Sequence, residues 1–196
     1  MINMKLLKGI SVPNLCDAGA KVLKGITPID KNQTIIYGEA LTVKTSSEDW
    51  GTSIKAISYG KGKVIVIRSE GDESAIWGGL ATLNAKIKGV IAVVIDGYVR
   101  DIEDIRKIKF PVFSKGYVPN AGNPIDRGIM NVPIVCGESM INPGDIIVGD
   151  CNGVAVIERD RIGEILERVK GIKKKESTIK NRIMRGTDLK DILRLE

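Results

Sequence analysis

The sequence predicts an α/β domain with a mixed sheet, a βαβ crossover and a helical C-terminal arm, on three observations. Short β-branched runs at 64–67 (VIVI) and 90–95 (VIAVVI) bracket a stretch of helical periodicity. Brief apolar runs at 132–156 are broken by Gly137, Pro143-Gly144-Asp145 and Gly149-Asp150, the punctuation of antiparallel hairpins. After Arg159 the apolar residues recur at helical spacing almost to the end of the chain.

Taken in order, residues 11–24 (SVPNLCDAGAKVLK) read as a helix entered after Pro13, with Leu15, Ala18 and Val22 on one side. Residues 35–44 follow as a strand and 52–58 as a short helix stopping at Gly60. VIVI and VIAVVI are too short and too β-branched for helices and read as buried strands, the second ending at Asp96-Gly97. Between them Leu80, Leu83 and Ile87 mark one apolar helix face, and Gly89 stands where the helix stops. A helical crossover makes the two strands parallel. IEDIRKI at 102–108 is a further helix, and 110–114 a strand whose Pro111 suits an edge position. Residues 116–128, containing VPNAGNP, form a loop in which Asn120 either reaches a ligand or simply makes a turn. Ile162, Ile165, Leu166 and Val169 give a helix face that serves as subunit glue or packs back on the parent domain. Leu189, Ile192, Leu193 and Leu195 give another, within 187–195, capped by Thr187 or Asp188. KGIKKKES reads as a hinge before that last helix. The organisation expected is a domain at 1–168 and a basic helical extension at 169–196.

A chain of 196 residues with 43% hydrophobic content can bury one substantial core, which 4% aromatic content makes aliphatic. The N-terminus MINMKLLKGI lacks an apolar signal region, and no run approaches the roughly 20 residues of a spanning helix. A cytoplasmic protein with no membrane partner is expected. Cys16, Cys136 and Cys151 are far apart and lack metal-type pairing, so buried free thiols are expected. The chain has no histidine, which excludes Ser-His-Asp and Cys-His catalysis, His-ligated zinc and imidazole acid–base work. The net charge of +6 is local: residues 168–185 hold eight basic side chains against one acid, Glu176, a net +7, leaving −1 elsewhere. A terminal basic run beside a domain with few aromatics fits a solvated or electrostatic surface; specific nucleic-acid binding is not expected.

Polar groups gather at two loops of the βαβ unit. In a parallel unit the helix N-terminus, here Gly78-Gly79, lies on the same sheet edge as the C-terminal end of the next strand, here followed by Arg100-Asp101. Free N–H groups and the helix dipole favour a carboxylate or phosphate there, and Arg100 can add a bidentate contact. Asp101 offers hard oxygen for a divalent cation. The same residues also admit a structural reading, with Asp101 capping IEDIRKI, Arg100 solvated and Gly78-Gly79 a turn.

The run WGGLATLNAKIKGVIAVVIDGYVRD, then IRKIKFPVFSKGYVPNAG and PGDIIVGDCNGVAVI, resembles the RraA-like family over roughly residues 10–168. That family includes 4-hydroxy-4-methyl-2-oxoglutarate aldolases and regulators of ribonuclease activity. The resemblance implies a fold like the swivelling β/β/α phosphohistidine domain, and a ring-shaped homotrimer or hexamer with its site at a subunit boundary. It implies Arg100 on the pyruvyl part of the substrate, Asp101 on Mg2+ or another divalent ion such as Mn2+, and the backbone of Gly78, Gly79, Leu80 and Ala81 on the substrate carboxylate. The family's aldolases place an acidic residue twenty-one positions before the arginine. Here that position is Gly79, and Asp72 or Glu73 in the preceding loop is the candidate replacement.

The function so implied is a class II, metal-dependent lyase on a small 2-oxo acid, by retro-aldol cleavage or decarboxylation of an oxaloacetate-like substrate, with Arg100 and Asp101 as its catalytic residues. A water on the metal is the candidate base. Gly79 favours the alternative of a non-catalytic ring protein of the ribonuclease-regulator type. A third reading, a role in an archaeal-type sugar-phosphate or one-carbon pathway, follows from relatives fused to a hexulose-phosphate synthase.

Overall fold

A computed structural model describes residues 4–32 and 34–195. The strands are β1 (Lys21–Val22), β2 (Thr27–Pro28), β3 (Ile36–Ser46), β4 (Val64–Glu70), β5 (Ala75–Trp77), β6 (Ala92–Val99), β7 (Val112–Tyr117), β8 (Ile129–Met130), β9 (Ile134–Cys136), β10 (Ser139–Ile141), β11 (Ile146–Asp150) and β12 (Gly153–Ile157). The helices are α1 (Val12–Asp17), α2 (Gly51–Ile57), α3 (Gly79–Ile87), α4 (Ile102–Ile108), α5 (Ile162–Met184) and α6 (Leu189–Leu193). The main sheet has the order β1-β12-β11-β3-β4-β6-β7-β2, with β5 added to β6 and β8 to β3. Its centre, β3-β4-β6-β7, is parallel, and β11, β12 and β1 extend it antiparallel. This is the mixed α/β sheet that the sequence predicts.

Alternation along the parallel strands builds two cores. Ile65, Ile67, Val93 and Ile95 face α2, α3 and α4, while Val64, Val66, Ala92 and Val94 face the β9-β10 hairpin and Phe113. Both faces being covered explains why VIVI and VIAVVI are apolar without a break. A third cluster joins α1 and the start of α5 to β11 and β12 through Leu15, Ile146, Val148, Ile162, Ile165 and Val169. The first part of α5 therefore packs back on its own domain.

Several expectations are corrected by local geometry. The helix expected at 11–24 ends at Asp17, because Gly19 takes φ +103° and redirects the chain into β1, where Val22 is exposed. The strands β4 and β6 run on past Ile67 and Asp96-Gly97 to Glu70 and Val99. Pro111 lies just before β7, which is paired on both sides and is no edge. KGIKKKES lies inside α5, so no hinge is there; lysine and glutamate are good helix formers, and one glycine does not stop a helix of 23 residues. The chain breaks later, at Gly186 with φ +88°, and Asp188 caps α6 by accepting from the Lys190 N–H. Of the cysteines, Cys136 is buried, Cys16 half-buried and Cys151 exposed, so the expectation of three buried thiols holds only for the first.

The largest correction concerns α3. Leu80, Leu83 and Ile87, expected to face the core, are 86%, 45% and 72% exposed. The buried face is Gly79, Ala81, Thr82 and Ala85. Small residues bring this helix close against the sheet, and the larger apolar stripe points outward.

Candidate active site

α3 begins directly after β5, which pairs with the end of β6, so the helix N-terminus and the β6–α4 turn are neighbours. Gly78, Leu80, Ala81, Arg100 and Asp101 line one cavity of about 330 Å3; Gly79 lies on its outer side, in a shallower cleft with Asp104. All six residues singled out from the sequence thus come together at the sheet edge where ligands are expected.

Asp101 is the residue immediately before α4, at its N-cap position, with φ 58°, a left-handed conformation that Asp tolerates better than most residues. Its side chain makes no cap to α4. Instead Oδ2 accepts from the Gly79 N–H across the turn (3.1 Å) and stands 3.7 Å from Arg100 Nε. The structural reading of Asp101 as the side-chain cap of IEDIRKI is therefore corrected: the carboxylate caps α3. Gly78 is required by this close approach, since a Cβ there would lie 2.6 Å from Asp101 Oδ2. The first amide bonded within α3 is that of Thr82, to the Gly78 carbonyl. With Gly79 committed to Asp101, the N–H groups of Leu80 and Ala81 have no acceptor among the described residues and sit at the cavity wall.

The donor set fits a divalent ion of limited grip. Among the described residues no three His, Cys, Asp or Glu side chains gather as a metal site, and Asp101 Oδ1 is the oxygen left free of hydrogen bonds there. Mg2+ retains waters and is commonly held by one or two carboxylates with substrate oxygens completing the shell. One carboxylate beside a helix terminus with two free amides suits an ion whose shell an anionic ligand would complete.

Neither proposed replacement for the missing acid lines the cavity. Glu73 Oε2 accepts from the Ser47 hydroxyl (2.6 Å), and Asp72 is exposed. Asn120 does not line the cavity either, donating to the Glu73 carbonyl and to Ser74 Oγ. Asp96 projects to the opposite sheet face, where it meets Arg68 Nη1 (2.8 Å), Lys115 Nζ (2.9 Å) and the Gly137 N–H (2.9 Å). Burial raises the Asp96 pKa, but Lys115, the Gly137 amide and Arg68 outweigh it and hold the carboxylate below the usual range.

Gly79 has no positive φ, and a Cβ would point between Asp104 Cβ (3.2 Å) and Asp101 Cβ (3.5 Å). Gly79→Asp is therefore expected to fold with a small shift of α4 and to crowd three carboxylates. In thermal melts it should lie below the wild type without metal and gain more from added Mg2+, with affinity raised about tenfold or more. A folded variant with no gain in metal binding or turnover would show that the site serves a different ligand.

The sequence missed the rest of the wall: Trp50, Ile54, Ala75, Ile76, Trp77, Asn84 and Ala121. Its only local signal was Asp49, one residue before Trp50, which reads as a helix start. Asp49 is 3% exposed and accepts from the amides of Gly51 and Asp126 (each 2.9 Å), Arg127 (2.7 Å) and Gly128 (3.2 Å). It thereby fastens the loop after β7 to the start of α2. The same loop accepts the Trp50 indole N–H at the Gly122 carbonyl (2.9 Å).

Comparison with known proteins shows the family and the fold. A family model described as RraA-like, Aldolase/RraA, matches residues 12–156. An uncharacterized protein of Methanocaldococcus jannaschii is 59% identical, spanning 98% of this chain and 94% of its own. A protein of Halalkalibacterium halodurans named "Putative 4-hydroxy-4-methyl-2-oxoglutarate aldolase" is 35% identical, over 82% of this chain and 79% of its own. Among solved structures, a protein from Pseudomonas syringae pv. tomato superposes with a TM-score of 0.85 at 26% identity, covering 98% of this chain and 93% of that one. The RNA-processing inhibitor RraA from Thermus thermophilis does so at 0.68 and 21%, covering 75% of this chain and 92% of that one, a likeness of fold alone.

Proposed function

The chain belongs to the RraA-like family, and from that membership we propose that it is a divalent-metal-dependent carbon–carbon lyase acting on a small 2-oxo acid. The observation that carries this reading is the meeting of two unpaired α3 amides, at Leu80 and Ala81, with Arg100 and Asp101 in one cavity. The amides and the positive end of the helix dipole take the substrate carboxylate. Arg100 sits beside the 2-oxo group and holds a guanidinium where negative charge grows on that oxygen as the bond breaks. Asp101 would anchor the ion through its free oxygen. A bound Mg2+ or Mn2+ polarises the 2-oxo group as a Lewis acid and orients it.

The exposed Leu80 lines the cavity, and the exposed Leu83 and Ile87 follow it along α3; we place the contact between copies there, closing the site in a homotrimer or hexamer. Light scattering is expected to give three or six times the chain mass of 21.3 kDa; a monomer at assay concentrations would rule this assembly out.

The direct test follows the methyl hydrogens of pyruvate in D2O by NMR. Cleavage and its reversal both pass through the enolate of pyruvate, so exchange is expected with Mg2+ and not with a chelator. Arg100→Lys keeps the charge but loses the planar fork, and the exchange rate should fall about tenfold or more, with weaker pyruvate binding. Equal rates for lysine and arginine would remove Arg100 from the substrate. Gly79 supports a second reading, a ring-shaped binding protein without turnover; absent exchange would favour that one, whereas exchange that survives the chelator would remove the metal from the reading.

No helix among the described residues is long and apolar enough to cross a membrane. The cations of α5 beyond Val169 are largely exposed.

A further inference from the structure

We infer that the site takes a 2-oxo acid whose far end carries no charge, a 4-hydroxy-2-oxo monocarboxylic acid with an alkyl or aryl tail, and discriminates against dicarboxylates. The inference rests on the proposed head-group grip and concerns the part of the cavity beyond it.

Arg100 is the single cation among the residues lining this cavity, and the head group engages it. The single lining acid, Asp101, is committed to the ion in that grip and offers a second carboxylate no donor. Three cations on the neighbouring helices are directed elsewhere: Lys55 pairs with Asp126 (2.9 Å), Lys86 donates to the Ile108 carbonyl (2.6 Å) and Lys107 lies 3.7 Å from Asp104. Both indole N–H groups are also occupied within the protein. That of Trp50 binds the Gly122 carbonyl and that of Trp77 binds Thr82 Oγ1 (2.9 Å), whose hydroxyl donates in turn to the Gly78 carbonyl (2.9 Å). The two rings therefore offer hydrocarbon to a ligand, and Ile54, Ala75 and Ala121 continue that surface.

A carboxylate moved from water onto such a wall loses hydration and gains no partner. An isopropyl or phenyl group of the same size gains burial. The polar exception is Asn84, which lines the cavity. It is neutral and suits a hydroxyl. In the reaction so defined the C3–C4 bond of the acid breaks. The C4 hydroxyl proton leaves to solvent, and C4 becomes the carbonyl of an uncharged aldehyde or ketone. The bonding pair passes to C3, which takes a proton from water to give pyruvate. No oxidant or co-reactant is needed.

The chain's two tryptophans both line the cavity, so intrinsic fluorescence reports occupancy without turnover. The full-length protein, with Mg2+, is titrated with pyruvate, with 2-oxoglutarate, and with 5-methyl-2-oxohexanoate, in which an isopropyl group replaces the distal carboxylate. Binding of the isopropyl acid is expected to be at least about tenfold tighter than that of 2-oxoglutarate. Ile54→Arg, at a half-buried position on α2, should erase or invert that ratio by strengthening 2-oxoglutarate. If 2-oxoglutarate binds the wild type as tightly as its isostere, the inference is overturned while pyruvate binding preserves the head-group reading. If pyruvate gives no response either, both fall together.

Discussion

Asp101→Asn is expected to lower Mg2+-dependent pyruvate exchange by about 10²–10³-fold while leaving the thermal midpoint nearly unchanged. Asparagine is the informative replacement because position 101 has φ 58°, which Asn shares with Asp as a tolerated conformation and Ala does not. Asparagine retains a carbonyl oxygen to accept from the Gly79 amide, which Asp101 now holds at 3.1 Å. What it loses is the charge that would hold a divalent ion. Asp101→Ala should be equally inactive but less stable by about 1–2 kcal/mol, from backbone strain and the lost cap on α3. Activity and stability therefore separate across the two variants. Unchanged exchange in Asp101→Asn would sink the metal-ligand assignment, whatever alanine does.

The same residues show what a linear reading can reach. The strands β4 and β6 and the helix between them were legible because a buried parallel pair needs unbroken β-branched runs, and the placing of the α3 N-terminus beside Arg100-Asp101 followed from chain direction alone. Orientation about the helix axis was not legible. Leu80, Leu83 and Ile87 form the more apolar stripe, yet the sheet selects Gly79, Ala81, Thr82 and Ala85 because only small side chains permit so close a packing. An outward apolar stripe on a crossover helix suits the contact between copies proposed above, and a single chain's periodicity carries no mark to distinguish it from a core face. The far wall was hidden for a different reason. Trp50, Ile54 and Ala121 come from α2 and from the loop after β7, distant in sequence, and they meet through backbone amides that the side-chain pattern does not announce.

Those amides converge on Asp49, and Asp49→Ala is expected to destabilise the protein by about 3–4 kcal/mol, lowering the thermal midpoint by on the order of 10 °C. The carboxylate is 3% exposed and accepts from Gly51, Asp126, Arg127 and Gly128 as well as the Thr52 hydroxyl (3.2 Å). Its removal leaves several inward-facing donors without an acceptor, the costly half of a broken hydrogen bond. Asn should be little better, because its amide nitrogen would face donors. Burial by itself raises the Asp49 pKa, but the hydrogen bonds from Arg127, Asp126 and Thr52 outweigh it and leave the folded-state value lowered. The carboxylate's contribution is therefore complete above the ordinary aspartate pKa near about 4 and is lost as pH falls from there through the lower folded value. Acid titration of stability should show a steeper loss below that pH for wild type than for Asp49→Ala. Because the same loop carries Ala121 and receives the Trp50 indole, the variant should also shift tryptophan emission to the red and weaken binding of the isopropyl acid more than that of pyruvate. Equal stability of wild type and variant at neutral pH would mean that the loop after β7 is fastened by other contacts, such as the Trp50 amide on the Asn123 carbonyl at 3.0 Å, and that Asp49 does not set the wall.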